Sequence, residues 1–152
     1  MNLNNFTLKS QEAIQQAQQI ATTDGHQAVE TGHILKGILA VDENVTPFLL
    51  KKLHLNNALF SEVVDRIVQS YPKVDGGGQY LSNNANKALL KAVNSLKEFN
   101  DEFVSIEHLL LGILESGDQV AQMMKDQGIN AKDLKAAIKD IEYRIQDPRH
   151  RL

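Results

Sequence analysis

The sequence predicts an all-α fold in which two pseudo-twofold-related four-helix repeats form one compact globular domain. Three observations carry that expectation. The stretches "VETGHILKGILA" (29–40) and "VSIEHLLLGILE" (104–115) set histidine, aliphatics, glycine and Ile-Leu in the same places. The correspondence runs well beyond them. The 75-residue offset between His33 and His108 also pairs Thr7 with Ser82, Ala13 with Ala88, Ile14 with Leu89, Ala17 with Ala92, Val29 with Val104 and Gly37 with Gly112. An offset of 74 then pairs Leu50 with Met124, Leu55 with Ile129, Phe60 with Leu134, Val64 with Ile138 and Ile67 with Ile141, as if one loop had lost a residue. Apolar residues recur at helical spacing, and no strand-like alternation appears. Two copies of a unit this long make a globule, because solenoid repeats are shorter and more numerous.

In chain order, the first helix is expected from Thr7 to about Thr23, where Ala13, Ile14, Ala17, Ile20 and Ala21 form one face and "TTDG" supplies the stop. Alanine on that face permits close helix approach. The second helix is the repeated motif, capped by Ser105 in copy two and, because Glu30 stands at that place in copy one, by Thr31 there. The third spans roughly Val45 to Leu53, with Pro47 in the first turn where its missing N–H is harmless. Its copy-two counterpart ends at "DQGIN", with Gly128 suited to a left-handed cap and His54 a poorer one at the same place in copy one. The fourth helices run from about Asn57 to Gln69 and from about Ala131 to Ile145, the latter opened by Asn130 and Asp133. One domain is expected over 1–145, with copy one at 1–70, a connector at 71–80 whose "DGGG" cannot continue a helix, copy two at 81–145 and a flexible tail at 146–152.

Composition narrows the function classes. Sixteen Lys and Arg against nineteen Asp and Glu leave a net charge of -3, so the electrostatic pull of nucleic acid or anionic membrane is missing. The absence of cysteine removes disulfides, thiol nucleophiles and cysteine-bound zinc. The start "MNLNNFTLKS" has no signal-peptide pattern, and no apolar run approaches spanning length, so a soluble cytoplasmic chain is expected.

Catalytic motifs are equally scarce. Glu107-His108 lacks a second histidine at zinc-ligand spacing, since Val104 and Leu111 occupy those places. His33 and His108 read instead as core imidazoles bonded to backbone. "DGGG" lacks the Lys-Ser/Thr of a phosphate loop, and no Gly-x-Ser-x-Gly occurs. Asp101, Glu102 and Glu107 are explained by the attraction of carboxylates to a helix N-terminus, and Lys132, Lys135 and Lys139 by a solvated helix face. No catalytic residue, metal site or cofactor is expected in this chain.

The doubled motif, seen as "VETGHILKGIL" and "VSIEHLLLGIL", resembles the Clp N-terminal repeat domain of AAA+ unfoldases over about 1–141. The opening "NNFTLKSQEAIQQAQQIA", the segment "VTPFLLKKL" and the connector "YPKVDGGGQYLS" are similar to the disaggregase chaperones of that family, as against its protease-linked branch. The resemblance implies a non-catalytic module that engages unfolded or aggregated polypeptide and delivers it to a hexameric ring, whose own modules bind ATP and Mg. An isolated domain would be a monomer. By the same resemblance, Thr7, Asp101 and Glu107 are the polypeptide-binding residues, on the rim of a groove between helix one and the first two helices of copy two, its apolar extent interrupted by outward-facing Lys91 and Ser95. Protease-linked relatives grip phosphoarginine through a glutamate before each motif histidine, and Gly32 replaces that glutamate in copy one. The alternatives are an adaptor-docking domain of a protease-linked unfoldase and a stand-alone interaction protein, because "EYRIQDPRHRL" does not resemble the usual bridge to an ATPase module.

Overall fold

The computed structural model describes residues 2–146. Helix α1 (Leu8–Thr23) begins at Thr7, whose Oγ1 accepts the Ser10 N–H at 3.2 Å. Its copy-two counterpart α5 (Asn83–Asn94) begins at Ser82, whose Oγ accepts the Ala85 N–H at 3.0 Å. The alanine face of α1 packs on α2 (Thr31–Val41), and that of α5 on α7 (Ile106–Leu114). Contact is close because each partner offers a glycine: a Cβ at Gly37 would strike the carbonyl oxygen of Ala13, and one at Gly112 that of Ala88. The alanine and glycine repeats therefore specify one helix-pair geometry, built twice.

Helix α3 (Val45–Lys52) is capped from upstream, as Asp42 accepts the N–H groups of Asn44, Val45 and Thr46 and the Thr46 hydroxyl. Helix α8 (Gln119–Asp126) is capped by Asp118, which accepts the Ala121 N–H at 3.0 Å. Both end in the same reversal, with His54 (φ 63) and Gly128 (φ 95) left-handed and the next N–H folded back, Leu55 to Leu50 and Ile129 to Met124. Helix α4 (Asn57–Gln69) starts at Asn56 and α9 (Ala131–Gln146) at Asn130, whose Oδ1 accepts the Asp133 N–H at 2.8 Å. Apolar residues of α3, α4, α7, α8 and α9, among them Leu49, Phe60, Leu110, Met124 and Leu134, close one core shared by both copies.

The expectations need correction in several places. A short helix α6 (Leu96–Phe99) follows α5 and stops at left-handed Asn100. Helix α2 is capped by Glu30 and not Thr31, whose hydroxyl instead reaches across to Asp118 at 2.5 Å. Ser95 does not face outward. It is buried between α5 and α6, donating to the Ala92 carbonyl. Of the tail expected over 146–152, Gln146 ends α9 and the remainder lies outside the described residues. Among the described residues no helix is long and apolar enough to cross a membrane.

Two short strands also occur where none was expected. β1 (Ala28–Val29) pairs in parallel with β2 (Tyr80–Leu81), with Val29 opposite Leu81. Elsewhere Phe6 forms a single parallel bridge with Val104. In the duplication Phe6 corresponds to Leu81 and Val29 to Val104. Each copy's lead-in to its first helix thus pairs with the other copy's lead-in to its second, an exchange that clasps the halves together.

Candidate functional site

Each motif histidine acts as the reciprocal half of a helix cap. His33 Nδ1 accepts the Glu30 N–H, and His108 Nδ1 accepts the Ser105 N–H, both at 2.9 Å. A backbone N–H can only donate, so both Nδ1 atoms are bare and each neutral ring carries its proton on Nε2. That proton is what the copies use differently. His108 Nε2–H donates to Asp101 Oδ2 at 2.8 Å, while His33 Nε2–H donates to Nδ1 of His26, also at 2.8 Å. His26 holds in copy one the place of Asp101 in copy two.

Around His108 the structure brings together the three residues carried over from the family resemblance. Asp101 is partly exposed. Glu107 is only 5% exposed rather than standing free on a rim, and burial first, with Asp101 and Asp42 adding, holds its carboxyl above the usual range against its own backbone N–H and His108. Thr7 reaches this cluster through the exchanged bridge: its N–H donates to the Val104 carbonyl at 3.0 Å, and the Val104 N–H to the Asn5 carbonyl at 2.8 Å. The bridge is flanked by two large apolar side chains left in solvent, Leu8 at 77% and Phe103 at 49% exposure. Lys91 is exposed on α5, as expected.

The counterpart place in copy one is built otherwise. Ser82, Asn83 and Ala28 stand for Thr7, Leu8 and Phe103, so the apolar pair is missing. Gly32 stands for Glu107, and a Cβ there would collide with the hydroxyl of Tyr71. The Tyr71 ring lies 5.0 Å from His33 and 5.8 Å from His26, and burial pushes its phenol above its ordinary range. Tyr71 fills what Glu107 fills on the other side. The exposed Leu8 and Phe103 pair therefore has no counterpart in copy one, where Tyr80 is the exposed large side chain of the matching strand.

Leu8, Phe103, His26 and Tyr71 were not singled out from the sequence. Comparing the two copies at unlike positions, Leu8 against Asn83 and Phe103 against Ala28, is the signal that would have found the first two. Lys135 of the basic edge pairs with Glu98 at 3.2 Å, and Lys52 with Asp140 at 3.0 Å, as on a solvated face. Among the described residues no group of three or more His, Asp or Glu is placed to hold a metal ion.

A family model of the Clp repeat (R) N-terminal domain matches residues 5–142. The chaperone protein ClpB of Bacteroides thetaiotaomicron is 47% identical over 141 residues, covering 93% of this chain. That of Porphyromonas gingivalis is 38% identical over the same length. The chain spans 16% of the length of either relative. Among solved structures, the Hsp104 N-terminal domain of Candida albicans superposes with a TM-score of 0.79 at 20% identity, covering 91% of this chain and 92% of that one, a likeness of fold.

Proposed function

The chain belongs to the Clp repeat (R) N-terminal domain family, and we propose that it is the client-binding domain of a ClpB-type disaggregase, taking up unfolded or aggregated polypeptide in the cytoplasm for an ATP-driven hexameric ring. In this reading the chain does no chemistry and holds no cofactor. ATP and Mg belong to the ring modules. The observation that carries it is the exposure of Leu8 and Phe103 beside Thr7, Asp101 and Glu107. Exposed apolar side chains next to a few polar groups suit an extended segment, whose side chains are desolvated while its N–H groups meet carboxylates. Ordering such a segment is costly, so affinity is modest.

Chemical-shift mapping with a permanently unfolded client perturbs the start of α1 and residues 101–107. Leu8→Ser with Phe103→Ser removes about 1 kcal/mol of partial burial each and weakens binding at least about tenfold. Shifts confined to α4 and α9, or an unchanged affinity, would refute the site. Capture of a folded adaptor in preference to unfolded client would favour the protease-linked alternative.

Phosphoarginine is not bound at two equivalent places, because Gly32 offers no carboxylate and Tyr71 occupies its space. Calorimetry with free phosphoarginine checks this, and two sites of similar affinity would contradict it.

A further inference from the structure

The hydrogen-bond chain of copy one does not end where that of copy two does. In copy two the His108 proton meets a carboxylate and the chain stops. In copy one it meets the bare Nδ1 of His26, so the neutral His26 ring must carry its own hydrogen on Nε2. His26 is 4% exposed, and its Nε2 has no hydrogen-bond partner among the described residues. A buried donor left without an acceptor forfeits its hydration with nothing in return, so such a group calls for one.

What His26 borders supplies the answer's charge. With Asp24, Lys36, Gln69 and Lys73 it lines a cleft of about 270 Å³ where the end of α1 meets α2 and the end of α4. Two of these residues are lysines and one a carboxylate, with Asp65 beside Lys36 as the second acid of the neighbourhood. Lys73 is exposed, and Lys36 is held only by a part-exposed pair with Asp65 at 3.4 Å, an interaction of small worth that can be exchanged. The volume lies just under the roughly 300–1,000 Å³ of clefts that take drug-sized ligands, so the occupant is small. We propose that this cleft is an oxyanion site, in which the His26 Nε2–H donates to a phosphate or carboxylate group flanked by Lys36 and Lys73. Duplication has thus produced two histidine chains of opposite use, one closed on its own Asp101 and one opened to an external acceptor. The inference is independent of the client-binding reading, because no residue is shared between the two places.

Long-range ¹H–¹⁵N spectra of the histidine side chains, recorded on the whole chain during titration with inorganic phosphate and separately with acetate, test it against chloride at equal ionic strength. A saturable shift of His26 Nε2, absent with chloride, is expected, together with at least fivefold weaker binding in Lys73→Gln, an exposed substitution that leaves the core untouched. Saturation by phosphate alone assigns a phosphate group, and by acetate alone a carboxylate. His26→Asp rebuilds the copy-two arrangement and supplies an internal acceptor, so that His33 Nε2, which then reports on the place, no longer responds to either anion beyond chloride. If neither anion acts beyond chloride, or if Lys73→Gln binds as the wild type does, His26 is served by water only and the proposal falls.

Discussion

Valine at Gly112 lowers the melting temperature by on the order of 10 °C, and valine at Gly37 does the same. Two effects oppose each other at these helical glycines. Alanine is intrinsically better in a helix by about 1 kcal/mol, so an exposed glycine would gain from a side chain. Here the added Cβ points at the carbonyl oxygens of Ala13 or Ala88, which are backbone and cannot turn aside. Overpacking of this kind costs about 1–3 kcal/mol for a small group and more for a branched one, so packing wins. For a chain of this size each kcal/mol shifts the midpoint by roughly 3 °C. Gly112→Ala therefore falls below the wild type and Gly112→Val well below it, as thermal unfolding monitored by circular dichroism reads directly. An alanine variant at or above the wild-type midpoint would show that α5 and α7 can separate without loss.

Acid destabilises the fold between pH 6.5 and about 4, through His33. A second proton on its ring would have to sit on Nδ1, against the Glu30 N–H. The His33 ring is therefore held neutral by geometry. Burial first, then His26, with Lys36 adding and Asp24 opposing, lowers the His33 pKa to about 4 from 6.5. With the folded value depressed, the unfolded chain binds the proton first as pH falls below 6.5. Stability drops by up to about 3 kcal/mol and levels off below pH 4. Glu107 works in the opposite sense. Its folded pKa is raised above 4.5, so its contribution is fullest when protonated at low pH and is lost as pH rises through the folded value. His33→Gln, which can still accept at the cap, flattens the acid limb. Glu107→Gln is more stable than wild type at pH 7, with the difference closing as the pH falls toward 4. Denaturant titrations across pH 4–8 measure both, and an unchanged acid limb in His33→Gln would contradict the assignment.

These results also show what a single chain discloses. The duplication is visible because packing at Ala13, Ala17 and Gly37 demands small residues, and the same demand recurs at Ala88, Ala92 and Gly112. The histidines could be assigned to backbone bonding because their place in the first turn of each motif leaves an imidazole within reach of the cap. The Glu30 cap is not legible in the sequence because glutamate is an uncommon N-cap and the box is closed by histidine rather than Glu or Gln. Leu8 and Phe103 carry no mark of their exposure in the sequence, because an apolar residue near a cap has the chemistry of a core residue until the chain around it is placed.

By itself the sequence determined the helices other than α6, most of their caps and the small-residue faces of α1 and α5, since all of these depend on residues a few positions apart or on side-chain size within one copy. Only the tertiary structure decided that Thr7 lies against the segment between Asp101 and Glu107, and that Tyr71 fills the matching place in copy one. The first depends on backbone groups of Thr7 and Val104, which nearly every residue carries, in a bridge too short to show alternation. The second depends on the start of the connector folding back onto the motif of copy one, which leaves no periodic mark on the residues that take part.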